Sequence, residues 1–256
     1  MVRSSKQDVL SDREFVQLLE GARELKDGFN IEARFIIMTA GLMGMRIGEI
    51  IHIDESWINS HRRMVEIPEY HDCSKGKYDD EVCGYCRNRA NDYVNSHNRE
   101  PEELKSQIRT NYRRNLDEDV LEEMAREKSK EDSVTYEEAL DERWTPKTQN
   151  AVRKIPYDFK PRLHLCIDEF IDRFGGWEKS LATAHRRINQ AVDESVLECN
   201  VYPHALRATA VSKMASKDVS PFALMSLMGW EDLDTARSYI QSSDESAAKE
   251  LREKLR

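Results

Sequence analysis

Four side chains near the C-terminal end could together handle a phosphate ester. They are His204, Arg207, Trp230 and Tyr239, carried by Tyr202-Pro-His-Ala-Leu-Arg-Ala-Thr209, Met228-Gly-Trp230 and Ala236-Arg-Ser-Tyr239. Arg207 follows His204 by three residues, Trp230 comes twenty-three later, and Tyr239 nine after that. Arginine presents a planar fork of N–H donors that matches two phosphate oxygens. A tyrosine hydroxyl becomes a nucleophile once its proton has somewhere to go. Histidine can carry that proton near neutral pH. An indole N–H donates a hydrogen bond and does no acid–base work. Each residue also has an ordinary use: Tyr239 on an apolar helix face, His204 in a cap after Pro203, Arg207 in an ion pair, Trp230 in a core. The chemical reading therefore depends on finding its missing members elsewhere.

Two more stretches supply them. In Gly41-Leu-Met-Gly-Met-Arg46-Ile-Gly-Glu49 two glycines interrupt the chain, and a new helix is expected to start near Arg46. An arginine there, beside the free amides of a helix N-terminus, is placed to grip a phosphate. Glu49 is expected to orient Arg46 or Lys147. The second stretch, Trp144-Thr-Pro-Lys147-Thr-Gln-Asn-Ala-Val-Arg153-Lys-Ile-Pro156, reads as a turn followed by a strand, with Lys147 close to the turn and Lys154 nearby.

Several elements must hold these residues. Ser11 with Glu14 three residues on is a capping-box pattern, and Phe15, Leu18, Leu19 and Ala22 then share a helical face over 11–26. A more apolar helix over 31–42 is expected in the core. Residues 56–59 and 62–68 read as two short strands around an Asn59-Ser60-His61 turn. The strand ending at Pro156 should pair with 62–68, which makes 70–143 an insertion at a hairpin tip. Helices are expected at about 159–174, 180–198, 204–217, 221–228, 233–241 and 244–255. In the last, Ala247, Leu251 and Leu255 share one side.

The insertion has two parts. His71, Cys73, Cys83 and Cys86 form a Cys-x9-Cys-x2-Cys pattern with a histidine upstream, and Cys-x2-Cys suits half of a tetrahedral zinc site. The spacing is not a common finger pattern. His97 is an alternative to His71, and reduced cysteines in a polar loop are the plain alternative to metal. Residues 101–143 are charge-rich with sparse apolar positions, which suits a solvated helical face or arm.

Bulk properties set limits. The 256 residues are 39% hydrophobic and 34% charged, with no apolar run near the roughly 20 residues of a membrane span. No secretory signal opens the chain, and five cysteines do not suggest a disulfide framework. A cytoplasmic protein is expected. The net charge of −9 looks unfavourable for binding nucleic acid, but residues 99–143 hold 15 acids against 9 bases and residues 231–256 hold 7 against 5. These account for −6 and −2, leaving −1 elsewhere, so basic patches remain available around the six residues. An acidic surface of this kind also suits a high-salt cytoplasm.

With Arg46, Lys147, His204, Arg207, Trp230 and Tyr239 in this order, the chain resembles the catalytic domain of the tyrosine recombinases, the phage-type integrases. The matching pieces are Gly-Met-Arg46-Ile-Gly-Glu49, Pro-Lys147-Thr before the strand, His204-Ala-Leu-Arg207, Leu-Met-Gly-Trp230 and Tyr239 nine residues on. The resemblance covers nearly everything outside 70–143. It implies a mainly α fold with a small antiparallel β-sheet (α+β) and a helical insertion. It implies a site-specific DNA recombinase that cuts through a 3′-phosphotyrosine, with Arg46 and Arg207 on the DNA phosphate. No cofactor is implied for catalysis, while zinc on Cys73, Cys83, Cys86 and His71 is a structural expectation. Implied partners are double-stranded DNA, a homo-tetramer on two DNA sites, and a C-terminal tail docked on a neighbouring subunit. Tryptophan stands at 230 where the family often has histidine. Only 45 residues precede Arg46, so a separate N-terminal DNA-clamping domain is not expected. A type IB topoisomerase-like enzyme or a catalytically silent DNA-binding relative are the alternatives.

Overall fold

The computed structural model describes residues 8–76, 81–112, 116–141 and 149–239. These described residues fall into two compact units, one on either side of the boundaries at 69/70 and 145/146, the first taking the two ends of the chain and the second the stretch between.

The first unit is organised around one buried helix. Ser11 caps α1 (Asp12–Glu24), and the capping box with Glu14 is closed in both directions. Helix α2 (Phe29–Met43) is apolar on nearly every side, with Ala33, Phe35, Ile36, Ile37, Met38 and Ala40 all buried. A helix without a polar face must be surrounded. Accordingly α2 packs against α1, α8 (Pro161–Phe174), α9 (Leu181–Asp193) and α10 (Pro203–Ala215). Phe35 stacks on Phe170 of α8 with ring centroids 3.7 Å apart. Among the described residues no helix is long and apolar enough to cross a membrane.

One charged group also lies in this core. Glu32 of α2 is buried, and its carboxylate accepts from Arg187 Nε of α9 at 2.6 Å and pairs with Lys179. Arg187 stacks over the Phe29 ring, 3.4 Å from its centroid. Nothing in the helical periodicity marks Glu32 as an inward residue, because the whole of α2 points inward.

The sheet has three antiparallel strands in the order β1 (Ile58–Asn59), β2 (Met64–Ile67) and β3 (Arg153–Pro156). As expected, β3 pairs with β2, with Val65 opposite Ile155 and Glu66 opposite Lys154. Period-two alternation puts Arg153, Ile155, Val65 and Ile67 on the buried face. Lys154 and Glu66 meet on the other face at 2.8 Å. The first strand is shorter than its sequence suggests. The Asp54 side chain accepts from the Ser56 amide and starts a 3₁₀ turn over Glu55–Trp57, so strand pairing begins only at Ile58.

Two helices stop earlier than their composition suggests. The Ser195 hydroxyl donates to the Val192 carbonyl and accepts from the Leu197 amide, turning the chain after α9. Helices α11 (Pro221–Met228) and α12 (Leu233–Arg237) follow α10, and Tyr239 lies in the turn after α12. The expected helix over 244–255 lies outside the described residues.

In the second unit α4 (Gly84–His97) packs on α7 (Tyr136–Asp141), and α5 (Pro101–Asn111) on α6 (Glu118–Glu131). The charge-rich run is more than a solvated face. Leu104 and Ile108 of α5 meet Leu121 and Ala125 of α6 in a small buried core, each pair at i, i+4. Helix α4 was not legible as a helix, because its apolar positions are few and the Cys83 sulfur serves as its N-cap, accepting from the Cys86 amide.

Removing the Glu32 carboxylate leaves Arg187 buried without its anion. Glu32→Ala is expected to lower unfolding free energy by about 3–5 kcal/mol in urea titrations. A loss below about 1 kcal/mol would show that solvent reaches Arg187.

Candidate active site

The end of α11 is the meeting point. Its last carbonyls have no partner within the helix. Here three consecutive carbonyls accept from three different guanidinium groups. Arg153 Nε donates to Leu227 O at 2.6 Å, Arg207 Nη2 to Met228 O at 2.7 Å and Arg46 Nη2 to Gly229 O at 3.0 Å. Cations at a helix C-terminus are also favoured by the helix dipole.

Each arginine is delivered by a different element. Arg46 is the N-cap of α3 (Ile47–Ile50), reached through Gly44 in a left-handed conformation at φ 70°. Arg207 lies in the second turn of α10 and also donates to the Gly44 carbonyl. Arg153 comes from the buried face of β3 and donates to Ala151 O at 2.8 Å. Gly229 closes the arrangement at φ 60°, and a Cβ there would lie 2.8 Å from Ala151 Cα and Asn150 O. Only glycine allows the end of α11 to approach the chain leading into β3.

Glu49 joins two of the three. Arg153 grips both its oxygens, Nη1 to Oε1 at 2.8 Å and Nη2 to Oε2 at 3.0 Å. Arg46 donates from Nη1 to Oε1 at 3.1 Å and from its backbone amide to Oε2 at 2.7 Å. Glu49 is 2% exposed. Burial pushes its carboxyl upward, but Arg153, Arg207 and Arg46 outweigh burial and hold it below its ordinary value of 4.5.

Three guanidiniums against one carboxylate leave two positive charges in excess. Arg207 bears the consequence. It is 6% exposed. Its pKa is pushed down to about 9 by burial first and by Arg46 and Arg153, against the pull of Glu49 and Tyr239. It stays protonated at neutral pH, and an added anion would relieve the repulsion around it.

Trp230 and Tyr239 follow directly. The Trp230 amide donates to Met225 O at 3.0 Å, and its half-buried ring stacks on Tyr239 with centroids 5.6 Å apart and planes at 17°. His204 is exposed in the first turn of α10, three residues before Arg207. Lys147 lies outside the described residues. Lys154, the nearby lysine, points to the opposite face of β3 from Arg153 and is engaged with Glu66.

Glu49, expected beside Arg46 or Lys147, accepts from both the side chain and the amide of Arg46. Arg153 belongs to this cluster without being among the expected site residues. Its signal was available in Arg153-Lys-Ile155: a charged residue two positions from Ile155 shares that residue's inward face.

In the second unit, Cys73, Cys83 and Cys86 come together with their sulfurs within 4.8 Å of one another. His71 is described but does not belong to that group.

The chain belongs to the phage integrase family, whose model matches residues 8–246. Among solved structures it is similar to XerA recombinase, at 11% identity and a TM-score of 0.51, over 96% of this chain and 62% of that one. It is also similar to the Tn1549 transposon integrase in complex with transposon right-end DNA, at 14% identity and a TM-score of 0.55, over 96% of this chain and 65% of that one. The same integrase with circular-intermediate DNA gives 15% identity and a TM-score of 0.53, over 97% and 67%. The chain thus spans about two thirds of the length of these relatives, and the likeness is one of fold. No curated protein matches it significantly in sequence.

Glu49→Gln keeps the shape and removes the charge. It is expected to cost about 3 kcal/mol at neutral pH by leaving buried guanidiniums uncompensated. The stability that Glu49 supplies is complete above its ordinary pKa and drains away as pH falls through the lower folded value. Wild-type stability should therefore decline on acidification below about pH 4.5, and Glu49→Gln should lack that part of the decline. Urea midpoints measured from pH 3 to 7 (roughly the carboxylate range) read both effects.

Proposed function

We propose that this chain is a site-specific DNA recombinase, an integrase that cuts and rejoins DNA through a 3′-phosphotyrosine intermediate. The carrying observation is the cationic excess around Glu49, with Tyr239 close enough to act on Arg207. A phosphodiester brings one negative charge, and its pentacoordinate transition state concentrates more on the non-bridging oxygens. Arg46 and Arg207 supply pre-oriented donors for that charge. Family membership and the fold shared with integrases and recombinases support the same reading.

In this mechanism the Tyr239 oxygen attacks phosphorus and the bond to the 5′ oxygen breaks. The products are a 3′-phosphotyrosine and a free 5′-hydroxyl. The phenol proton leaves through His204, and Lys147 protonates the departing 5′ oxygen. Trp230 packs against Tyr239 and offers its indole N–H to the phosphate. Glu49 holds Arg46 in place. The phosphoester bond is conserved in the protein adduct, so strand transfer draws on no ATP, metal or organic cofactor. Reversal of the same steps by another 5′-hydroxyl rejoins DNA.

The domain is read as a recombinase catalytic domain interrupted by the 70–143 insertion, working on double-stranded DNA. The full reaction exchanges strands between two duplexes and needs a homo-tetramer. The segment after Tyr239, with its Ala247, Leu251 and Leu255 stripe, would dock on a neighbouring subunit. The setting is the cytoplasm, where cysteines stay reduced. The cysteine group of the insertion would serve structure and take no part in strand transfer.

A nicked suicide substrate tests the reaction. Wild-type protein should form a covalent adduct whose tryptic peptide carries nucleotide on Tyr239, and Tyr239→Phe should form none. Arg46→Ala should slow adduct formation by about 10²–10³-fold, the usual loss of a transition-state charge donor. Relaxation of any plasmid without joining of two sites would instead indicate a topoisomerase, and no adduct on any DNA would indicate a binding module. Removing residues 243–256 should abolish cooperative assembly on paired sites while leaving single-site cleavage in place. Unchanged assembly would overturn the docking role of the tail.

A further inference from the structure

Cys73, Cys83 and Cys86 take no part in the chemistry above, yet they are placed with care. All three belong to the second unit and are 2%, 7% and 3% exposed. Their sulfurs lie within 4.8 Å of one another. Backbone amides point at the sulfurs: Cys83 N–H donates to Cys73 Sγ at 3.4 Å, and Cys86 N–H to Cys83 Sγ at 3.5 Å. These contacts hold the three sulfurs in fixed positions around one point. Cys83 caps α4 and Cys86 lies in its first turn, so the helix start fixes the spacing of these two sulfurs.

The surroundings of the trio hold little apolar burial. Among the described residues an apolar core of the unit lies between α5 and α6. Helix α4 buries only Cys86 and Ala90. A unit of this size with so little apolar burial ordinarily relies on a staple. Three thiols can form at most one disulfide and leave an odd sulfur, whereas three thiolates are a ready ligand set for a soft tetrahedral ion.

We propose that Cys73, Cys83 and Cys86 bind one zinc ion as thiolates, and that this ion fastens the 70–76 segment to the start of α4. Three thiolates leave one tetrahedral position for a nitrogen or oxygen donor. His71 is not grouped with the sulfurs, so its imidazole is not required. The site is structural and independent of the strand-transfer chemistry, so loss of Tyr239 activity would not bear on it.

The test uses the full chain purified without chelator and its metal content measured by mass spectrometry. One zinc per chain is expected, retained in His71→Ala and in a Cys166→Ser, Cys199→Ser control. In Cys83→Ser, Cys86→Ser it should fall at least tenfold. Stripping the wild-type protein with chelator should open residues 70–100 to protease, and zinc chloride should close them again. Should the double variant not fold, cobalt substitution of wild-type protein gives a second readout, a near-ultraviolet sulfur-to-cobalt band of three-thiolate intensity. No zinc after growth and purification with zinc, or iron in its place, overturns the proposal. So does a disulfide within the trio, or a protease pattern that ignores both chelator and zinc.

Discussion

The first unit depends on how the end of α11 is satisfied. Three successive carbonyls, of Leu227, Met228 and Gly229, face Arg153, Arg207 and Arg46. These arginines come from β3, α10 and the turn before α3, so one helix end ties together three distant parts of the chain. Glu49 then locks two of the arginines to each other. A buried cation costs several kcal/mol unless paired. One carboxylate and a few carbonyls lower that cost without removing it. The remaining positive charge is felt most by Arg207, whose pKa is pushed down to about 9.

This arrangement also explains why the glycines sit where they do. Gly44 turns the chain so that its carbonyl meets Arg207 and the next residues deliver Arg46. Gly229 lets the end of α11 press against Ala151. The same turn carries Trp230 out of the helix and onto Tyr239. Structural and chemical demands therefore fall on the same few residues. In the second unit the balance differs. There a small apolar core joins α5 to α6, and a buried cysteine trio gathers at the start of α4.

Much of this was legible in the amino-acid order. Arg46, His204, Arg207, Trp230 and Tyr239 stand out because their types suit one reaction and their spacings agree with one family. The hairpin pairing of β2 and β3 was legible from alternation, and α1 from its capping box. Other features were not. Trp57 looked like part of a strand until Asp54 capped a 3₁₀ turn ahead of it. Helix α4 was hidden by its sparse apolar positions, and the α5–α6 core by the charges around it.

What the sequence by itself determined was the inventory of reactive groups and the local elements that carry them, because caps, turns and periodicity are short-range. Tertiary structure decided which charges share a pocket. Arg153 and Glu49 are 104 residues apart in the chain, and no local rule pairs them. Their meeting follows from β3 lying beside β2 and against α11, a consequence of long-range packing around α2. Burial then turned ordinary side chains into an electrostatic site, since the same ion pair counts for little in water and for much inside a protein.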